Sequence, residues 1–341
     1  MKIIVIGGTA FIGRAVVEHL ALAGHEIYVF HRGLTEAVLP EGVTEILGDR
    51  RDLFDFRQQF ASIDPDVVID AIAMTEHQAQ GTIDTFIGIA DRQIVISSQD
   101  VYRAFARGTG WEPGPPDPVP ITEDSPLRDR LYPYRDATEH RYEWSGDYEK
   151  IMVERVAMDE PEFPATVLRL PAVYGPGDYQ HRLLGYLSRM IDDRPAIILE
   201  RAISEWRWTR AYIDNVAAAI RLAAEDDRST GRTYNVGDPY AFTEIEWVQQ
   251  IGKAAGWNGK IAVVQDERFA TGMNAEQLWT MDTSRIREEL GYEEPIAIDE
   301  AMLHTVEWER NNLPEGYHVS PHQYEAEDEV IAQIEGLQGL K

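Results

Sequence analysis

The first thirteen residues, MKIIVIGGTAFIG, limit the folds open to this chain more than any other stretch. Lys2 to Ile6 make a short, continuous apolar run rich in β-branched residues, which reads as a strand buried on both faces. Glycines break the run at once. From Ala10 to Ala23 the pattern turns helical, with Ile12, Ala15, Val16, Leu20 and Ala23 on one side and Gly24 as the stop. A second strand-like run, EIYVFH at 26–31, follows directly, so the chain opens as strand, glycine turn, helix and strand.

The same rhythm continues through VTEIL (43–47), DVVIDAIA (66–73) and RQIVISS (92–98), with helical stretches near 52–62 and 76–90. Apolar strands separated by helices predict an α/β fold, a doubly wound parallel Rossmann sheet covered on both faces. A helix near 146–160 and the strand ATVLRL (165–170) extend this dinucleotide-binding domain over residues 1–170. Between them, residues 103–138 are Pro-rich and follow neither period, which predicts a lid-like loop. Past Pro171 come helices near 181–193, 212–226, 243–256 and 299–312 with isolated short strands. These predict a smaller α+β substrate-binding domain over 171–312, some of whose strands return to the main sheet. Residues 313–341 form a polar, acidic tail, read as surface helix or partly disordered chain. No internal repeat is evident.

Composition excludes several chemistries. The chain of 341 residues has no cysteine, which removes disulfides, thiolate zinc sites and cysteine nucleophiles. No apolar run approaches the roughly 18 residues needed to span a bilayer, and the N-terminal run breaks into glycine without a cleavage site. A cytoplasmic protein with no membrane contact is expected. The net charge is −27, with five lysines against 27 arginines and the acids spread along the chain. Adaptation to high salt and a high-GC coding bias both account for this. Either way, binding to nucleic acid phosphates is disfavoured, because that affinity comes from clustered positive charge.

Three motifs carry chemistry. In VIGGTAFIG, Gly7 and Gly13 take the outer positions of a G-x-x-x-x-x-G frame with Ala10 where a middle glycine is common. Thr9, Ala10, Phe11 and Ile12 complete a loop whose backbone N–H groups and helix N-terminus suit a pyrophosphate. At the end of the second strand, His31 and Arg32 stand where NAD sites usually carry an acid. A guanidinium pairs with a 2′-phosphate, so NADP is favoured over NAD; the alternative is that Arg32 is a solvated turn residue. Asp49 is placed to meet adenine, and Arg50 or Arg51 would add charge for NADP. The third motif, ISSQDVY (96–102), puts Ser98 at the carboxyl end of the fifth strand, where open α/β sheets collect ligands. A serine there also serves as an ordinary turn cap.

With ITEDSPL (121–127), LRLPAVYGPGD (168–178), TRAYIDNVAAAI (209–220), RTYNVGD (232–238) and DTSRIREELGY (282–292), the chain resembles the extended short-chain dehydrogenase/reductases, the NAD(P)-dependent epimerase/dehydratase group, over residues 1 to about 312. Within it, GGTxFIG and FxRG are most similar to an atypical branch that includes reductases, epimerases and RNA-binding proteins. The resemblance implies that Ser98 bonds the reacting hydroxyl and that Lys150 holds the nicotinamide ribose and lowers a tyrosine pKa. It also implies that Ala71 and Pro171 line the cofactor, that Tyr102 faces the substrate, and that Arg210 pairs with the pyrophosphate of a nucleotide sugar. A structural salt bridge is the competing role for Arg210. The resemblance further implies a homodimer built on the helices near 76–90 and 146–160.

One position departs from the family. Its tyrosine lies four residues before the lysine, but four before Lys150 is Gly146, and the nearest tyrosine is Tyr148, two before. On a regular helix that spacing turns the two side chains about 200° apart. Either the helix starts near 148 and the ring reaches the site from a non-helical turn, or the tyrosine's work is lost or moved, with Tyr142, Tyr102 and His140 as substitutes. Two functions follow: a NAD(P)-dependent oxidoreductase or epimerase/dehydratase acting on a sugar-like hydroxyl or carbonyl through Ser98, Tyr148 and Lys150, or a silent dinucleotide-binding regulatory module. No metal is called for.

Overall fold

The computed structural model describes residues 1–137 and 144–338. The opening follows the sequence closely: β1 (Lys2–Ile6), α1 (Phe11–Leu22), β2 (Glu26–His31) and β3 (Thr44–Leu47). A 3-10 segment over Arg50–Phe56 leads into α2 (Arg57–Ile63), then β4 (Val67–Asp70), α3 (Glu76–Phe86) and β5 (Arg92–Ser98). The predicted loop at 103–138 is not wholly irregular, because it begins with the short helix α4 (Arg103–Thr109), stopped by Gly110 at φ 75°. After α5 (Lys150–Met158) the chain returns through β6 (Ala165–Leu170) and, well beyond it, β10 (Thr233–Asn235).

These strands make one seven-stranded sheet in the order β10-β6-β5-β4-β1-β2-β3, every pairing parallel. β4, not β5, is therefore the middle strand. The order reverses between β1 and β4, and such a switch point opens a crevice at the carboxyl ends of the strands. One face is covered by α1 and α8 (Ile213–Glu225), the other by α3, α5 and the 3-10 segment. The second face is filled by rings: Phe30, Phe60, Phe86 and Phe163 are essentially inaccessible, with Phe60 and Phe86 4.8 Å apart. At roughly 25 cal/mol per Å² of apolar surface, such side chains supply most of the force that holds helices on the sheet.

Residues beyond Pro171 build two small parallel pairs, β7 (Ala172–Tyr174) with β9 (Arg210–Tyr212), and β8 (Ala196–Glu200) with β11 (Lys260–Val264). Around them lie α6 (Leu184–Ile191), α7 (Arg201–Ser204), α9 (Glu244–Ala255), α10 (Ser284–Leu290) and α11 (Ile298–Asn311). The acidic tail forms α12 (Pro321–Gln338), anchored where Glu327 meets Arg189 at 2.8 Å.

Candidate active site

The turn after β1 is as tight as its glycines predict. A side chain at Gly13 would put its Cβ 2.0 Å from the carbonyl oxygen of Gly7, and Gly7 itself has φ +87°. Only glycine permits this approach. Ala10 caps α1 with no side-chain hydrogen bond, so the first N–H groups of that helix keep their capacity for a ligand. Phe11 carries a strained φ of 34° and meets Tyr179 edge-on at 6.3 Å. Thr9, Phe11 and Ile12 are half-buried and Ala10 is exposed, so the loop has an open side. Ala71 donates its N–H to Ile6 at 3.1 Å and so lies beside this turn.

The residues predicted to read the ribose divide. Arg32 is exposed at the end of β2, close enough to Asp49 to help hold its carboxyl below the usual range, although bonds from Arg51 are the larger cause. His31 is buried, with Nε2 2.8 Å from Glu45, and its Nδ1 accepts from the Gly33 N–H. Arg50 is likewise engaged: it grips both oxygens of the inaccessible Asp70 at 2.9 and 3.1 Å and reaches Gln78 and Thr82. His31 and Arg50, both expected at the cofactor, are thus each already bound to a carboxylate of the fold. Asp49 caps the 3-10 segment and pairs with Arg51 at 2.9 Å.

At the other end of the crevice, Tyr148 resolves the spacing puzzle. Helix α5 starts only at Lys150, with Glu149 as its N-cap, and Tyr148 precedes it in a non-helical conformation (φ −58°, ψ 120°). The opposite-faces argument therefore does not apply. Tyr148 Oη donates to Asp100 Oδ2 at 2.7 Å, and the Ser98 hydroxyl is near enough to oppose part of the upward shift of the phenol. Ser98 Oγ in turn accepts from the Asp100 N–H at 3.2 Å. The phenol is pushed well above its ordinary pKa, first by burial and then by the Asp100 charge. Tyr134 packs on the Tyr148 ring at 5.4 Å and Trp144 at 6.2 Å.

Lys150 lies under this group. Its ammonium donates to Ala73 O at 2.7 Å and Ile96 O at 2.8 Å, bridging β5 to the chain just past β4, and one proton is left over. Burial pushes it down to about 8 against the opposing charges of Asp100 and Asp70. Beside it, the fully buried pair Arg128–Glu149 at 2.6 Å ties the lid-like segment to the start of α5. Arg128 Nε also donates to the Asp100 carbonyl at 2.9 Å.

Tyr102 and Arg210 are both tied into the fold, Arg210 in the salt bridge that was its competing role. Tyr102 is inaccessible; its hydroxyl donates to Asn235 at 2.6 Å and accepts from Arg169 at 3.0 Å, and burial pushes it up to about 12. It is a core strut, not a substrate contact. Arg210 is buried in an ion pair with Glu244 at 2.7 Å, its guanidinium 4.3 Å from the Trp247 ring. Its second terminal nitrogen is sealed from solvent and has no partner. Pro171 is buried between β6 and β7. Tyr142 and His140 lie outside the described residues, among which no cluster of three metal-ligating side chains occurs. The functional candidate that the sequence reading passed over is Asp100. An acid two residues past the strand-end serine was the available signal.

Comparison with known proteins gives a consistent picture. The sequence pattern of the NAD dependent epimerase/dehydratase family matches residues 3–237. The chain is 26% identical over 263 residues to the 2′-dehydrokanamycin reductase of Streptomyces kanamyceticus, covering 75% of this chain and 67% of that protein. It is 25% identical over 350 residues to a dTDP-glucose 4,6-dehydratase of Streptomyces niveus, covering 92% and 94%. The structure of UDP-glucose 4-epimerase from Thermotoga maritima, solved with UDP-glucose, superimposes with a TM-score of 0.68 at 19% identity over 92% of this chain and all of that one.

Proposed function

Given that the chain belongs to the NAD-dependent epimerase/dehydratase family, we propose that it oxidises or reduces a hydroxyl or carbonyl carbon of a sugar-like molecule with a nicotinamide dinucleotide. The observation that carries this reading is the hydrogen bond of Tyr148 Oη to Asp100, two residues past Ser98 at the carboxyl edge of β5. Two strands away, across β4, the Gly7–Gly13 turn leaves no room for side chains and exposes helix N–H groups, which fits a pyrophosphate. The residues that would hold the dinucleotide are Gly7 to Gly13, Arg32, Asp49 and Ala71, with the spare proton of Lys150 for a ribose oxygen. When bound, nicotinamide supplies the hydride acceptor or donor. The protein's own part is to orient the substrate oxygen with Ser98 and to handle its proton with Tyr148.

The test is to measure binding of NADPH and NADH in high and low salt, then follow absorbance of the reduced cofactor with a panel of nucleotide sugars and free aldoses. Binding followed by turnover supports the proposal. Binding without turnover on any member, and with no difference between wild type and Tyr148→Phe, would favour a module that holds dinucleotide without chemistry. A nucleotide sugar is the natural first probe, because relatives carry such names. Arg210 does not add to that case, since Glu244 already neutralises it.

Arg32 makes a separate prediction. Among the described residues its exposed guanidinium has no ion pair within the fold, so NADPH should bind more tightly than NADH. Arg32→Glu should reverse the order by roughly tenfold or more in the ratio of dissociation constants, the worth of one charge-assisted pair. Equal ratios in the two proteins would remove Arg32 from the cofactor site.

A further inference from the structure

We propose that Asp100 is the group that sets the protonation of Tyr148, receiving the phenol's proton as the phenol takes up the substrate's, so that no phenolate forms. This rests on the dinucleotide reading above and adds a residue to it. In the usual arrangement a lysine ammonium beside the phenol stabilises the phenolate. Here Lys150 is directed at two backbone carbonyls, and the group touching Tyr148 Oη is a carboxylate at 2.7 Å. A phenolate there would face a like charge in a buried site, where water does little to screen the repulsion. A neutral phenol, by contrast, has a good acceptor already in line.

The carboxylate is held for this work. Asp100 is 5% exposed, its Oδ1 has no partner, and its position is fixed by its own N–H on Ser98 and by Arg128 on its carbonyl. The charged and titratable groups that face it are Tyr148, Glu149 and Lys150 at the start of α5, and Arg128 and Tyr134 of the lid-like segment. In the oxidative direction the substrate O–H bond breaks and its proton passes to Tyr148 Oη, while the phenol O–H bond breaks and its proton passes to Asp100 Oδ2. The electron pair of the substrate C–H bond leaves with the hydride that the dinucleotide accepts, and a carbonyl forms. Reduction runs the same bonds backwards from a protonated Asp100. Asp100 is a positioning residue, since it acts through Tyr148 and does not touch the substrate.

The test needs no substrate. In protein carrying ¹³Cζ-tyrosine, the resonance missing from Tyr148→Phe belongs to Tyr148, and its pH titration is followed with NADP⁺ bound. The proposal expects Tyr148 to remain a phenol through about pH 10, the ordinary tyrosine value. Asp100→Asn should lower its pKa by at least about one unit, because the repelling charge is gone. As a check that leaves Asp100 in place, the ¹³C-carboxyl titration of Asp100 should move upward in Tyr148→Phe, which removes its hydrogen-bond donor. Ionisation of Tyr148 below that pH in wild type, or a titration unmoved by Asp100→Asn, would overturn the relay. Failure of the wild type to bind either NADP⁺ or NAD⁺ would instead overturn the dinucleotide reading, so the two failures are distinguishable.

Discussion

Tyr148→Phe is expected to lower turnover by roughly 10²–10⁴-fold, the range that one positioned acid or base contributes, while leaving dinucleotide affinity unchanged. The substitution removes one oxygen and nothing else. Tyr134 and Trp144 pack against the ring, which Phe retains, so the site should keep its shape. What disappears is the hydroxyl bonded to Asp100, which in the proposed reaction would meet the substrate oxygen. The decisive measurement is the rate of cofactor oxidation or reduction at saturating dinucleotide, paired with a binding titration. A variant as fast as wild type would mean that the proton travels elsewhere.

The largest stability effect is expected at the Arg128–Glu149 pair, both of whose side chains are wholly inaccessible. Removing one member of a buried pair strands the other charge and typically costs about 3–5 kcal/mol, against a total stability on the order of 5–15 kcal/mol. Glu149 has further duties: it accepts from the Tyr132 N–H at 2.6 Å and from the Ile151 N–H at 2.9 Å, closing the first turn of α5. Arg128→Met should therefore lower the unfolding free energy by about 3–5 kcal/mol, seen as a lower denaturant midpoint, and also loosen the lid-like segment. Glu149→Gln keeps the side chain's shape but turns one acceptor oxygen into an NH2 that faces N–H donors; Arg128 keeps its bonds to the Asp100 and Arg130 carbonyls, so the cost should be smaller. Denaturation of the two variants in parallel checks the order; a fully stable Arg128→Met would show that the pair contributes nothing net.

Much of the fold was legible because it depends on local pattern. The runs at 2–6, 26–31 and 92–98 became β1, β2 and β5 at their expected bounds, since buried parallel strands are continuously apolar and glycine stops are local signals. Side-chain partners were less legible. Arg50 meets Asp70 twenty residues away, Tyr102 meets Asn235 and Arg210 meets Glu244, all contacts that no spacing announces. For Tyr148 the spacing left two readings open, and the structure has the first of them: Glu149 caps α5 one residue later, and the tyrosine, outside the helix, turns toward Asp100. Beyond standing two residues after Ser98, Asp100 carried no signal of its own in the sequence, because its place in the site depends on that same ring outside the helix.

The most direct test of a displaced tyrosine serving a nicotinamide site is a crystal structure with NADP⁺ bound. The account predicts the nicotinamide ring beside Ser98, with its reactive carbon and Tyr148 Oη facing one shared space and the ribose within reach of Lys150. A dinucleotide seated with its nicotinamide away from Ser98, or with Tyr148 Oη turned from it, would contradict the account.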